Sequence, residues 1–152
     1  MAKAVETFIG RCENCGAKDR IPGPRLAERA LCGKCGKPPP SSGSYPELAR
    51  LISDASFRKE VLDFSGPVVV NFHSPTCPYC RRFDATFQQL VSKYAGRIKF
   101  TKMVREQNPI TASRLGVQGV PTLLLFREGV LKDRTVGLLP EADVEAHLMR
   151  IL

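Results

Sequence analysis

The 152-residue sequence predicts an α/β domain preceded by a small four-cysteine metal module. Three observations carry this. From residue 47 onward, short apolar runs of strand type alternate with segments of helical periodicity, the pattern of an α/β arrangement rather than an all-helical or all-β one. One Cys-x-x-Cys pair, Cys77/Cys80, falls where a strand gives way to a helix. Two more pairs of the same spacing, Cys12/Cys15 and Cys32/Cys35, precede a proline- and serine-rich stretch over residues 38–46. That stretch neither supports a helix nor supplies core, and it divides a module at 1–37 from a domain at 47–152. The length suits one ordinary domain with an appendage. An apolar fraction of 43% against 25% charged residues is ordinary globular usage, so disorder is not expected.

Each element follows in order. A first strand is expected just after residue 47. Ser53 or Asp54 then caps a helix whose Phe57, Val61 and Phe64 recur on one face, and Gly66-Pro67 ends it. Residues 68–72 are β-branched and almost continuously apolar, as a central strand buried on both faces requires. Beyond Cys77 a second helix carries Phe83, Phe87, Leu90, Val91 and Tyr94 as a core-facing stripe. Residues 98–104 read as a strand, and Asn108-Pro109 sets a capping residue before a proline at the first helical position of a short helix. Residues 123–126 and 130–136, joined by Arg127-Glu128-Gly129, read as a β-hairpin with glycine in its turn. Pro140 opens a last helix with Val144, Leu148 and Ile151 inward. The expected order is β-α-β-α-β-α-β-β-α.

The net charge of +8 raises the question of a nucleic-acid partner. Residues 1–46 hold eight basic and four acidic side chains and the rest hold fifteen and eleven, so no segment concentrates the excess and no nucleic-acid partner is expected. The first ten residues lack the apolar core of a secretion signal, and no stretch approaches the roughly 20 apolar residues of a membrane span. A cytoplasmic protein without a membrane partner is therefore expected, and nothing requires more than a monomer. Thiols stay reduced in that compartment, so the six cysteines are expected to be metal ligands or redox catalysts rather than structural disulfides.

A Cys-x-x-Cys pair between strand and helix places its first cysteine at the helix amino end, where unpaired N–H groups and the helix dipole favour a thiolate. Cys77 is then the nucleophile that attacks a substrate disulfide, and Cys80, one turn on, resolves the mixed disulfide. The alternative is a pair of structural cysteines or half of a metal site. The strand-to-helix context favours redox chemistry.

From residue 47 to 152 the sequence resembles the thioredoxin family. The likeness rests on Val70-Asn71-Phe72, Cys77-Pro78-Tyr79-Cys80, Gly119-Val120-Pro121-Thr122, Leu124-Leu125-Phe126-Arg127-Glu128-Gly129 and Val136-Gly137. It implies a thioredoxin fold, a central mixed sheet flanked by helices, with Pro121 cis beside the active cysteines and the backbone at Val120 pairing with a bound substrate chain. It also implies disulfide-containing client proteins, with thioredoxin reductase as electron donor. Several residues depart from the family. Asn71 replaces a usual buried aspartate that takes a proton from the resolving cysteine, which an amide cannot do, so water or another base must serve. Lys102 matches the lysine that accompanies that aspartate and either raises local positive potential or is a surface side chain. His73 and Thr76 replace flanking aromatic residues. His73 either assists by proton transfer or thiolate stabilisation, or is simply packed. Pro78-Tyr79 resembles the inner dipeptide of glutaredoxins, which predicts a weaker reductant than ordinary thioredoxin and makes glutathione a second candidate donor.

Cys12, Cys15, Cys32 and Cys35 are separated, pair from pair, by sixteen residues, a spacing suited to a four-cysteine zinc site. Gly16, Gly33 and Gly36 permit the turns of zinc knuckles. So short a segment has no core of its own, and thiolate coordination of zinc would supply its folding energy. Two disulfides are the alternative. With this ribbon included, the whole chain resembles the thioredoxin-2 subgroup, whose amino-terminal extension binds zinc, which implies a structural ion held by all four cysteines and no organic cofactor. A binding or chaperone module, dependent on zinc and carrying a vestigial redox motif, is the competing reading.

Overall fold

The computed structural model describes residues 48–152, together with the backbone of three strands nearer the amino end. Those strands, β1 (Thr7–Arg11), β2 (Lys18–Pro22) and β3 (Tyr45–Pro46), form an antiparallel sheet in the order β2-β1-β3. Arg11 pairs with Lys18, so residues 12–17 connect two paired antiparallel strands. Tyr45 and Pro46, at the end of the segment expected to be linker, pair with Ile9 and Phe8. The four cysteines of the expected zinc module lie outside the described residues.

The second sheet has five strands: β4 (Arg50–Leu51), β5 (Pro67–His73), β6 (Lys99–Val104), β7 (Thr122–Arg127) and β8 (Val130–Val136), in the order β4-β6-β5-β7-β8. β6 runs parallel to β4 and β5, whereas β7 is antiparallel to β5 and β8 to β7. This is the mixed sheet the thioredoxin resemblance implies. The alternation of side chains along each strand separates two cores. Val69, Phe100, Leu123 and Leu125 pack on one face against α1 (Pro78–Lys93) and α3 (Glu141–Leu148), with Phe83, Phe87, Leu90, Val144, Leu148 and Ile151. Val68, Val70, Phe72, Leu124 and Phe126 pack on the other with Phe57, Val61 and α2 (Pro109–Arg114). The central strand is buried on both faces, as its unbroken apolar run requires.

Two local expectations are corrected. The segment around Phe57, Val61 and Phe64 turns inward as expected, but its regular part is a five-residue π-helical turn, Arg58–Leu62. Asp54 does not cap it. Its Oδ1 accepts from Thr111 N at 2.9 Å and its Oδ2 from Ile110 N at 3.2 Å, so it caps α2 across the fold. Asn108, the expected cap of α2, makes no capping bond there. It accepts instead from Asp54 N at 2.8 Å and donates to Val104 O at 2.8 Å. The two residues thus fasten the loop before the π-helical turn to the start of α2.

The hairpin turn consists of Glu128 and Gly129, both with positive φ, 51° and 74°. That conformation matches the twist of paired strands and favours glycine. A Cβ at Gly129 would stand 2.3 Å from the Leu62 carbonyl oxygen, so the turn seats against the end of the π-helical segment. Glu128 reinforces the seat: its N–H donates to Gly66 O, and its carboxylate accepts from Ser65 Oγ at 3.1 Å.

Candidate active site

The central strand β5 ends at His73, and four residues later Cys77 takes an extended conformation as the N-cap of α1, with Pro78 at the first helical position. Proline fits there because its missing N–H would be unpaired in any case. Cys80 N donates to Cys77 Sγ at 3.3 Å, one of the bonds by which a helix amino end satisfies its orphan donors. Both thiols are free; Cys77 is half-buried, and Cys80 is buried with 8% exposure. A hydrogen bond from the Cys80 thiol does most to draw the Cys77 pKa below the ordinary thiol value, burial opposes it, and backbone N–H groups of Cys80 and Tyr79 add to the pull. Burial first, then its hydrogen bond to Cys77, pushes Cys80 up to about 11. Two thiols of one helical turn are thereby driven in opposite directions.

On the open side, the Cys77 thiol lies 3.7 Å from the Val120 carbonyl oxygen, and the Val120–Pro121 bond is cis, as the resemblance implies. Tyr79 projects from the helix start with 58% exposure. On the inner side, register brings the other expected residues together. Asn71 pairs with Lys102 on neighbouring strands, so both point to the α1 face. Asn71, His73, Cys80 and Lys102 line one pocket of about 230 Å³, along with Asp84, Arg81, Ser74 and Pro75. Lys102 Nζ is 2.6 Å from Asp84 Oδ1 and 5.5 Å from the centre of the Phe87 ring. It is therefore an ion-paired side chain of the pocket wall rather than an isolated surface lysine. Burial, and then the charge of Lys102, hold the His73 pKa below its usual value, with Asp84 and Glu106 opposing. The side chains missed in the sequence are Asp84, Arg81, Ser74 and the nearby Glu106. Asp84 stands four residues after Cys80, a spacing that shares one helix face, and this was the available signal. Among the described residues no group of three or more His, Cys, Asp or Glu side chains could hold a metal ion, and no helix is long and apolar enough to cross a membrane.

Two thiols of one helical turn, one at the helix start and one buried, suit an enzyme that exchanges thiols with disulfides, and the five-stranded mixed sheet around them is of thioredoxin type. Residues 49–150 match the thioredoxin family model, and the chain belongs to the thioredoxin family. It is a thiol-disulfide oxidoreductase. A thioredoxin of Synechocystis sp. is 37% identical over 101 residues, 66% of this chain and 94% of the relative. Thioredoxin 1 of Nostoc sp. is 35% identical over 104 residues, 68% of this chain and 97% of the relative. Thioredoxin M4, chloroplastic, of Arabidopsis thaliana is 36% identical over 101 residues, 66% of this chain and 52% of the longer relative.

Proposed function

We propose that the chain reduces protein disulfides through the Cys77-Pro78-Tyr79-Cys80 dithiol, with Cys77 as nucleophile and Cys80 as resolving thiol. The observation that carries this reading is the placing of the two sulfurs: Cys77 caps the start of α1 and accepts from Cys80 N at 3.3 Å, beside Val120 and cis Pro121, while Cys80 is buried behind it, an arrangement that lowers the Cys77 pKa and raises that of Cys80. Cys77 thiolate attacks one sulfur of the substrate disulfide, and the other sulfur leaves as a thiolate that takes up a proton. Cys80, once deprotonated, attacks Cys77 Sγ, releasing the second substrate thiol and leaving the Cys77–Cys80 disulfide. The substrate gains the two electrons that the dithiol loses. Val120 and cis Pro121 offer backbone beside Cys77 for pairing with the substrate chain, and Pro78-Tyr79 form the surface next to it. Asn71, His73 and Lys102 serve the inner side, around Cys80.

Thioredoxin reductase with NADPH is the proposed electron donor, and glutathione the alternative suggested by Pro78-Tyr79. NADPH-dependent reduction of a protein disulfide with thioredoxin reductase, compared between the native chain and Cys77→Ser, tests the reading. Turnover lost on substitution supports it. Turnover with glutathione alone moves the chain to the glutathione-linked class, and function that survives loss of both cysteines favours a binding or chaperone role.

The reading extends to a structural zinc ion held by Cys12, Cys15, Cys32 and Cys35, which would place the chain in the thioredoxin-2 subgroup, in the cytoplasm. It is supported by the Cys-x-x-Cys spacing of both pairs and by a donor set of four thiolates that suits tetrahedral zinc. When bound, the ion would fold its segment and take no part in the redox step. One zinc per chain after dialysis at neutral pH is expected; a metal-free folded protein would refute it.

A further inference from the structure

Asn71 leaves the resolving step without its proton acceptor, since a side-chain amide has no useful basicity. The inner pocket contains a substitute. Asp84 lies on the same face of α1 as Cys80, one turn further on, and lines the same pocket. Lys102 holds its Oδ1 at 2.6 Å. Asn71 and His73, which line the same pocket, each hold a buried polar atom, Oδ1 and Nε2, with no protein partner. Buried polar atoms of this kind are satisfied by ordered water. At about 30 Å³ for each molecule, a pocket of about 230 Å³, lined by both Cys80 and Asp84, accommodates several.

The other charged or titratable groups around the pocket are less suited to the role. Lys102, from β6, and Arg81, from α1, carry no basic lone pair when charged. Glu106, in the turn after β6, influences His73 and both cysteines but is not part of the pocket wall. Protonating His73, at the end of β5, would create a half-buried cation beside Lys102.

We propose that the Asp84 carboxylate receives the Cys80 proton through water in this pocket, doing from α1 what the family usually does from position 71. This rests on the assignment of Cys80 as resolving thiol. The proton moves from Cys80 Sγ through water to Asp84. The Cys80 thiolate forms the bond to Cys77 Sγ as the Cys77–substrate bond breaks, and the departing substrate thiolate takes up a proton from solvent. Asp84 then returns its proton to the pocket water.

The test uses the full chain, mixed rapidly with bis(2-hydroxyethyl) disulfide, quenched in acid and followed by mass spectrometry of the peptide containing Cys77 and Cys80. That peptide is separate from the amino-terminal cysteines. Asp84→Asn is expected to form the Cys77 adduct within about threefold of the native rate, yet to convert it to the Cys77–Cys80 disulfide about 100-fold more slowly near neutral pH. The deficit shrinks as pH rises towards the ionisation of Cys80 itself. Asp84→Glu restores most of the rate, and Lys102→Met, which breaks the ion pair but keeps the carboxylate, resolves faster than Asp84→Asn. Native resolution and a native pH profile in Asp84→Asn would overturn the proposal. So would equal slowing in Asp84→Asn, Asp84→Glu and Lys102→Met, which marks a purely structural pair. If the native chain forms no Cys77 adduct, the nucleophile assignment itself falls, and this proposal with it.

Discussion

Asp54 contributes to a helix that begins more than fifty residues after it. Its carboxylate satisfies two orphan N–H groups at the start of α2, and its own N–H is taken by Asn108. Burial raises its pKa, but hydrogen bonds from the Thr111 side chain and backbone and from Ile110 N, with the charge of Arg114, outweigh burial and leave it below the usual carboxylate value. A carboxyl group depressed in the folded state contributes stability that is fully present above the unfolded pKa of about 3.9 and fades as pH falls through the folded value. Asp54→Ala is therefore expected to lower stability at neutral pH by about 1–2 kcal/mol. The difference from the native chain should narrow in acid. Urea unfolding of both proteins at neutral and acid pH checks this, and a difference that does not depend on pH would refute it.

Among the elements, the π-helical turn is fastened by charge as much as by apolar contact. Lys99 Nζ donates to Glu60 Oε2 at 2.7 Å and to Glu60 O at 2.8 Å, both side chains are buried, and Arg50 stands 3.6 Å from the same carboxylate. Removing Lys99 leaves the buried Glu60 carboxylate, among the described residues, only the longer contact to Arg50. Lys99→Met is expected to cost about 3–5 kcal/mol, whereas replacing Glu60 and Lys99 together by apolar side chains should cost much less. Urea unfolding of the single and double variants distinguishes the two. Nothing in the sequence marked this pair, because its partners are 39 residues apart and each looks like surface charge. The strands and long helices were legible because their apolar periods agree with their burial. Phe83, Phe87, Leu90, Val91 and Tyr94 are all buried, as the stripe on α1 predicts. The caps misled for the opposite reason: Asp54 and Asn108 each sit where a local cap belongs, and the tertiary fold exchanged their duties. Cys77 and Cys80 could be read from spacing, whereas the pocket behind them depends on the β5–β6 register, which spacing does not show.

For the whole molecule, the quantity of interest is the reduction potential. A hydrogen-bonded, helix-capping Cys77 stabilises the thiolate and so the reduced form, which makes the dithiol a weaker reductant. Together with Pro78-Tyr79, this predicts a potential less negative than the roughly −270 mV of thioredoxin, towards the range of about −200 to −230 mV of glutaredoxins. Equilibration in glutathione buffers, read on the Cys77–Cys80 peptide, measures it. A value at or below that of thioredoxin would refute the expectation.

The seat of the β7–β8 turn on the Leu62 carbonyl also bears on how this protein can be re-engineered. Tight surface hairpins are the customary place to splice in an epitope or graft a foreign loop, because their tips usually face only solvent. Here the tip at Glu128 and Gly129 is bolted down on its underside, so cargo inserted there would lever the hairpin off the segment that precedes β5.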